Sequence, residues 1–126
     1  MITIRDNKLK VLAAGGDDGS LVSGELGTRV TCVLYVNYTK GDEDNLTITF
    51  DAMYSPLGDF YPIMFEDSPE SVAPIVKKID ASGKYRLLIT LADNESRLRV
   101  NAQLVNSSSS PGTAEIVVVP VTPTIG

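Results

Sequence analysis

The run Arg97 to Leu104, RLRVNAQL, alternates Leu98, Val100, Ala102 and Leu104 with Arg97, Arg99, Asn101 and Gln103. A period of two belongs to a β-strand with one face buried and one in water, whereas a helix would scatter the four apolar residues around its circumference. The alternation recurs in LTITFDAMY, where Leu46, Ile48, Phe50, Ala52 and Tyr54 share a face, and in KYRLLITLA, where Tyr85, Leu87, Ile89 and Leu91 do so. In RVTCVLYVNY one face carries Val30, Cys32, Leu34, Val36 and Tyr38, yet Val33 and Tyr35 opposite are also apolar. That strand is expected to be central or covered on both faces. TAEIVVVPV reads as a last strand ending at an edge, because Pro120 cannot donate to a ladder.

Turn chemistry separates these runs: KGDEDN at 40–45, DASGK at 80–84, ADNES at 92–96 and NSSSSPG at 106–112. Strands are expected near 29–39, 45–54, 60–65, 74–80, 84–92, 96–105 and 113–121, with a short eighth near 9–13. The fold class is all-β, an antiparallel β-sandwich of jelly-roll or Ig-like type with seven or eight strands. Residues 1–28 read as a flexible N-terminal arm, 29–121 as the sandwich domain and 122–126 as a C-terminal tail. One helix start is expected at DSPES, 67–71, with Ser68 as cap, Pro69 in the first turn and Pro74 stopping it.

A chain of 126 residues fits one domain and buries enough surface to hold a core without cross-links. Its single cysteine, Cys32, has no intrachain disulfide partner and lies on an apolar strand face, so it reads as a buried, inert thiol. The opening MITIRDNKLK carries charges where a signal peptide has its apolar segment, and no window is apolar enough for a membrane span. The expectation is a protein made in a cytoplasm without an export signal, with no membrane partner. A net charge of −5 argues against a phosphate-backbone binder, so nucleic acid is not expected as a partner.

The chain has no histidine, which removes Ser-His-Asp and Cys-His nucleophile systems and His-ligated zinc or iron. GGDDGS at 15–20 lacks the Gly-Lys-Ser/Thr ending of a phosphate loop, and no Gly-x-Ser-x-Gly elbow occurs. Two carboxylates alone could run a glycosidase, but sequence does not fix their separation. We expect no enzyme and no cofactor. Asn-x-Ser/Thr triplets at Asn37, Asn45, Asn94 and Asn106 read as a by-product of Thr-rich strands and Ser-rich turns.

Asp42, Glu43, Asp44 and Asn45 are contiguous, whereas calcium loops alternate their ligands around a glycine and close with a distant acid. They read as a solvated hairpin tip in which Gly41 takes a positive φ, with no metal site. They also open a stretch, Gly41 to Val76, that holds eight acids and no Lys or Arg, followed by Lys77, Lys78, Lys84, Arg86, Arg97 and Arg99. Such blocks suit charged edges that dock on neighbouring subunits. Half of the eight aromatic residues lie in YSPLGDFYPIMF at 54–65. Candidate partner contacts are therefore Asp42, Glu43, Asp44, Phe60, Tyr61, Met64 and Phe65. The alternative use of 54–65 is a glycan- or ligand-binding platform, with calcium at the acidic turns.

The run YVNYTKGDEDNLTITF at 35–50, followed by SGKYRLLITLAD at 82–93, resembles small all-β proteins from the virion gene clusters of tailed bacteriophages. That resemblance spans roughly residues 30–105. It implies a non-enzymatic structural virion protein: a capsid decoration or cement protein, or a head or neck accessory. Implied partners are the major capsid protein or other virion subunits and further copies of the chain, with a trimer favoured. It supplies no functional residues.

Overall fold

The computed structural model describes residues 2–6, 11–14, 18–23, 26, 30–68, 71–74 and 76–121. Twelve strands run in chain order: β1 (Ile2–Asp6), β2 (Val11–Ala14), β3 (Asp18–Val22), β4 (Thr31–Thr39), β5 (Asn45–Tyr54), β6 (Asp59–Pro62), β7 (Met64–Ser68), β8 (Ser71–Pro74), β9 (Val76–Ile79), β10 (Gly83–Thr90), β11 (Glu95–Val105) and β12 (Thr113–Val121). Among the described residues there is no helix. The first sheet is ordered β10-β4-β12-β1-β2. The second is ordered β3-β11-β5-β6, with β9 also paired to β5, and β7 and β8 pair with each other. Both larger sheets are open, an arrangement consistent with a β-sandwich.

The alternation seen in the sequence decides which way each strand faces. In the second sheet Leu46, Ile48, Phe50 and Ala52 of β5 stand directly opposite Leu104, Ala102, Val100 and Leu98 of β11, and all eight are buried. In the first sheet Cys32, Leu34, Val36 and Tyr38 of β4 join Ile116 and Val118 of β12 and Ile2 and Ile4 of β1 in the same core cluster. Burying both inner faces against each other removes this apolar surface from water, the main favourable term in folding. The chain passes between the two larger sheets repeatedly, and the links from β4 to β5 and from β11 to β12 are two such crossings.

Four expectations are corrected here. The stretch 1–28 was expected as a flexible arm, but where it is described it forms β1, β2 and β3. Of these, β1 lies between β12 and β2, and β3 pairs with β11. The physical reason is Ile2, Ile4 and Leu21, whose side chains are buried in the core. Second, the sandwich is not wholly antiparallel, since β1 runs parallel to β12. Third, the helix start at 67–71 is not formed: Asp67 and Ser68 end β7, Ser71 opens β8, and Pro69 and Glu70 lie outside the described residues. A Ser-Pro pair suits a turn as well as a helix cap, and strand pairing on both sides takes it for the turn. Fourth, β4 and β5 are not a hairpin, because they belong to different sheets. The expected tail at 122–126 also lies outside the described residues.

Cys32 is buried on the inner face of β4, and burial pushes its thiol up to about 11. Thiolate is the reactive form, so an aromatic disulfide reagent at pH 8 should leave the folded protein unlabelled and label one thiol per chain once it is unfolded in guanidinium. Rapid labelling of the native protein would contradict this placement.

Candidate functional site

The acidic loop has the most elaborate local chemistry in the chain. Tyr38 near the end of β4 donates its hydroxyl to Glu43 Oε2 at 2.6 Å. The backbone N–H of Gly41 reaches the same carboxylate at 2.9 and 3.1 Å, and the N–H of Gly112 reaches Oε1 at 2.6 Å. Glu43 is only 1% exposed, so the sequence expectation that it stays in water is overturned. Burial opposes its ionisation, but the hydroxyl of Tyr38 and the N–H groups of Gly41 and Gly112 outweigh this and hold the carboxyl below its usual range.

The two neighbouring acids face outward yet work on the same junction. Asp42 accepts the N–H of Ser108 at 3.0 Å, the Ser108 hydroxyl at 2.9 Å and the N–H of Ser110 at 2.9 Å. The N–H groups of Ser108 and Ser110 are the chief reasons that its pKa is lowered. Asp44 Oδ2 accepts Asn106 Nδ2 at 2.7 Å. All three acids therefore fasten the β4–β5 crossing to the β11–β12 crossing. An acid held ionised by several donors is poorly suited to deliver a proton near neutral pH.

Close approach explains the two glycines. A Cβ on Gly41 would collide with the carbonyl of Ser110, and one on Gly112 would collide with Thr39 O and lie 2.7 Å from Glu43 Oε2. Gly41 is thus required by space, not by the positive φ expected from the sequence, which among the described glycines occurs at Gly58. Gly112→Ala should lower stability by about 2 kcal/mol or more, read from urea unfolding, because backbone must move to admit the methyl group. Two of the Asn-x-Ser/Thr triplets have a local cause as well. Asn94 and Asn106 adopt φ of 65° and 59°, a conformation that Asn tolerates better than most residues.

The aromatic candidates do not form one platform. Phe60 on β6 stands opposite Met53, and the Arg99 guanidinium covers its ring at 4.6 Å from the centroid. Arg99 also donates to Asp51 Oδ2 at 2.8 Å, as does Asn101 Nδ2 at 2.8 Å, which fixes a polar network on the outer face of the second sheet. Tyr61 is exposed, together with Tyr54 and Leu57 at the β5–β6 turn. Met64 and Phe65 stand on β7 opposite Pro74 and Ala73. Beside the Asp51 network, Asp18, Ser20, Thr47, Thr49, Asn101 and Gln103 line a shallow depression of about 440 Å³.

The outer face of the first sheet is different in kind. Leu88 is 54% exposed, Tyr35 49% and Val121 46%, and the half-buried Val117 and Val119 complete a continuous apolar area. Val33 lies at its centre with only 5% exposure, and among the described residues it is the one buried apolar residue outside the core cluster. Arg86, Lys84, Arg5 and Glu115 lie on the same face. No candidate contact chosen from the sequence falls on this area. The signal that could have found it was present, because Val33, Tyr35, Leu88, Val117 and Val119 each break the alternation of their strands.

Among the described residues no three Asp, Glu or Cys side chains converge as a group that could hold a metal ion. Comparison with protein-family models, curated proteins and solved structures gives no match.

Proposed function

We propose that the chain is a structural virion protein of a tailed bacteriophage without enzymatic activity. In this reading it is a capsid decoration (cement) subunit that binds the major capsid protein or another virion subunit and associates with further copies of itself. The observation that carries the reading is the exposed apolar face of the first sheet, centred on Val33 and rimmed by Lys84, Arg86 and Glu115, because contiguous apolar surface with a charged rim is assembly surface. The charged edges fix orientation against the shell. Virions purified from cells that carry the gene should contain the chain in fixed proportion to the major capsid protein, and the isolated chain should cosediment with heads stripped of it. Its absence from virions together with failure to cosediment would overturn the reading.

A second reading, a glycan- or ligand-binding module assisted by calcium, is favoured by one feature. The depression on the second sheet is lined by hydroxyl, amide and carboxylate groups that match a polyhydroxylated ligand. Titration with oligosaccharides, with and without calcium, should then shift the NMR signals of Asn101 and Gln103. No shift at millimolar sugar removes it.

A further inference from the structure

We infer that the outer face of the first sheet is a homodimer contact. Its occupant is the same face of a second copy, related by a two-fold axis running along β4. This rests on reading that face as an assembly surface, and goes further by naming the partner and the register.

The ladder arranges the face in rows across β10, β4 and β12: Lys84–Asn37–Glu115, Arg86–Tyr35–Val117, Leu88–Val33–Val119 and Thr90–Thr31–Val121. A half-turn about an axis along β4 exchanges its two sides while keeping each row at its own height. Strand β10 of one copy then lies over β12 of the other. Leu88 covers Val119 and Lys84 sits above Glu115, each pairing formed twice, and Val33 faces its own copy once, at the axis. Stacked sheets stand about 10 Å apart, a gap that a lysine and a glutamate span together, and aligned sheets stay within about 30° of each other. An axis across the strands would instead reverse the rows and carry Lys84 toward Thr90, leaving its charge unmatched. Charge complementarity thus selects one of the two symmetric ways of stacking the face on itself. Glu115 is already approached by Arg5 at 3.1 Å from the β1 side, and both side chains are exposed, so the carboxylate has room for a second cation.

The three facing strands, about 4.8 Å apart and seven residues long over these rows, give a footprint of roughly 350 Å², less than half of the ~800 Å² per partner of a standard interface. The dimer is therefore expected to be weak and to form only toward the top of a concentration series.

Sedimentation equilibrium over a concentration series tests this. The wild type should dimerise, and Leu88→Asp should be monomeric with an unchanged circular dichroism spectrum, since the side chain is exposed. K84E alone sets Glu against Glu115, and E115K alone sets Lys against Lys84, so each should dimerise at least tenfold more weakly. An equimolar mixture of the two places opposite charges at both symmetric positions and should restore the dimer. A wild type monomeric at 1 mM, a dimer or trimer indifferent to Leu88→Asp, or a mixture no tighter than its components would overturn the inference. Dimers missing from virions would remove the virion reading and leave this one standing, while monomers that bind stripped heads would do the reverse.

Discussion

Glu43→Ala is expected to destabilise the fold by about 3 to 5 kcal/mol, measured as a lowered urea midpoint at unchanged slope. The size comes from what is left behind more than from what is removed. The hydroxyl of Tyr38 and the N–H groups of Gly41 and Gly112 all point at one carboxylate inside the fold, and truncation leaves three donors without that acceptor. Glu43→Gln should cost less, about 1 to 2 kcal/mol, because one carbonyl oxygen still accepts two bonds while the amide turns to Tyr38. A Glu43→Ala variant within 0.5 kcal/mol of wild type, an order-of-magnitude limit for ordinary surface changes, would mean the carboxylate does not hold the junction.

The same group sets a pH dependence whose sign is fixed. The folded-state pKa of Glu43 lies below its unfolded value, so its contribution is fully present above the ordinary Glu value of about 4.3 and is lost as pH falls through the folded pKa. Asp42 acts in the same direction, through the N–H groups of Ser108 and Ser110. Acid should therefore loosen the two crossings before it reaches the strand pairs, and Glu43→Gln should flatten the stability profile below that pH. A profile unchanged by the substitution would place the acid sensitivity elsewhere.

The parts of this fold that can be read from the sequence are those where packing and local pattern say the same thing. Strand β5 keeps its expected bounds because it alternates over ten residues between turn segments, and β12 keeps its own because a Ser-Pro-Gly turn precedes an apolar run rich in valine. Strands β1 and β3 are not legible because five residues carry too little alternation, and β3 is further masked by the Gly and Asp residues of GGDDG at its start. Their identity as strands is decided by partners far along the chain, β12 and β11. The acidic loop failed in a different way. Periodicity marks the break between β4 and β5 but carries no information on which strands pair, so a link between sheets looked like a hairpin. Once the link became a crossing, the second crossing at 106–112 came beside it. That neighbour, invisible locally, is what buries Glu43 and forbids a side chain at Gly41. The apolar outer face is legible as broken alternation at Val33 and Tyr35, but only the ladder joins them to Leu88 and Val119.

Ile4→Ala should cost about 2 to 5 kcal/mol, the range for deleting most of a buried side chain. Ile4 stands opposite Ile116 in the parallel ladder, and both are fully enclosed. A flexible arm would make the substitution silent, so the outcome separates the two descriptions of the N-terminus. The position also bears on assembly. Strand β1 stands between β12 and β2 in the first sheet, so weakening it exposes a long edge of β12 with unpaired backbone groups. Loss of stability in Ile4→Ala should accordingly be accompanied by aggregation that Leu88→Asp, with β1 intact, does not show. If Ile4→Ala instead unfolds at the wild-type urea midpoint, the segment contributes nothing to the core. The edge of the first sheet would then be β12 itself, and Glu115 would lose its Arg5 partner beside the face proposed for dimerisation.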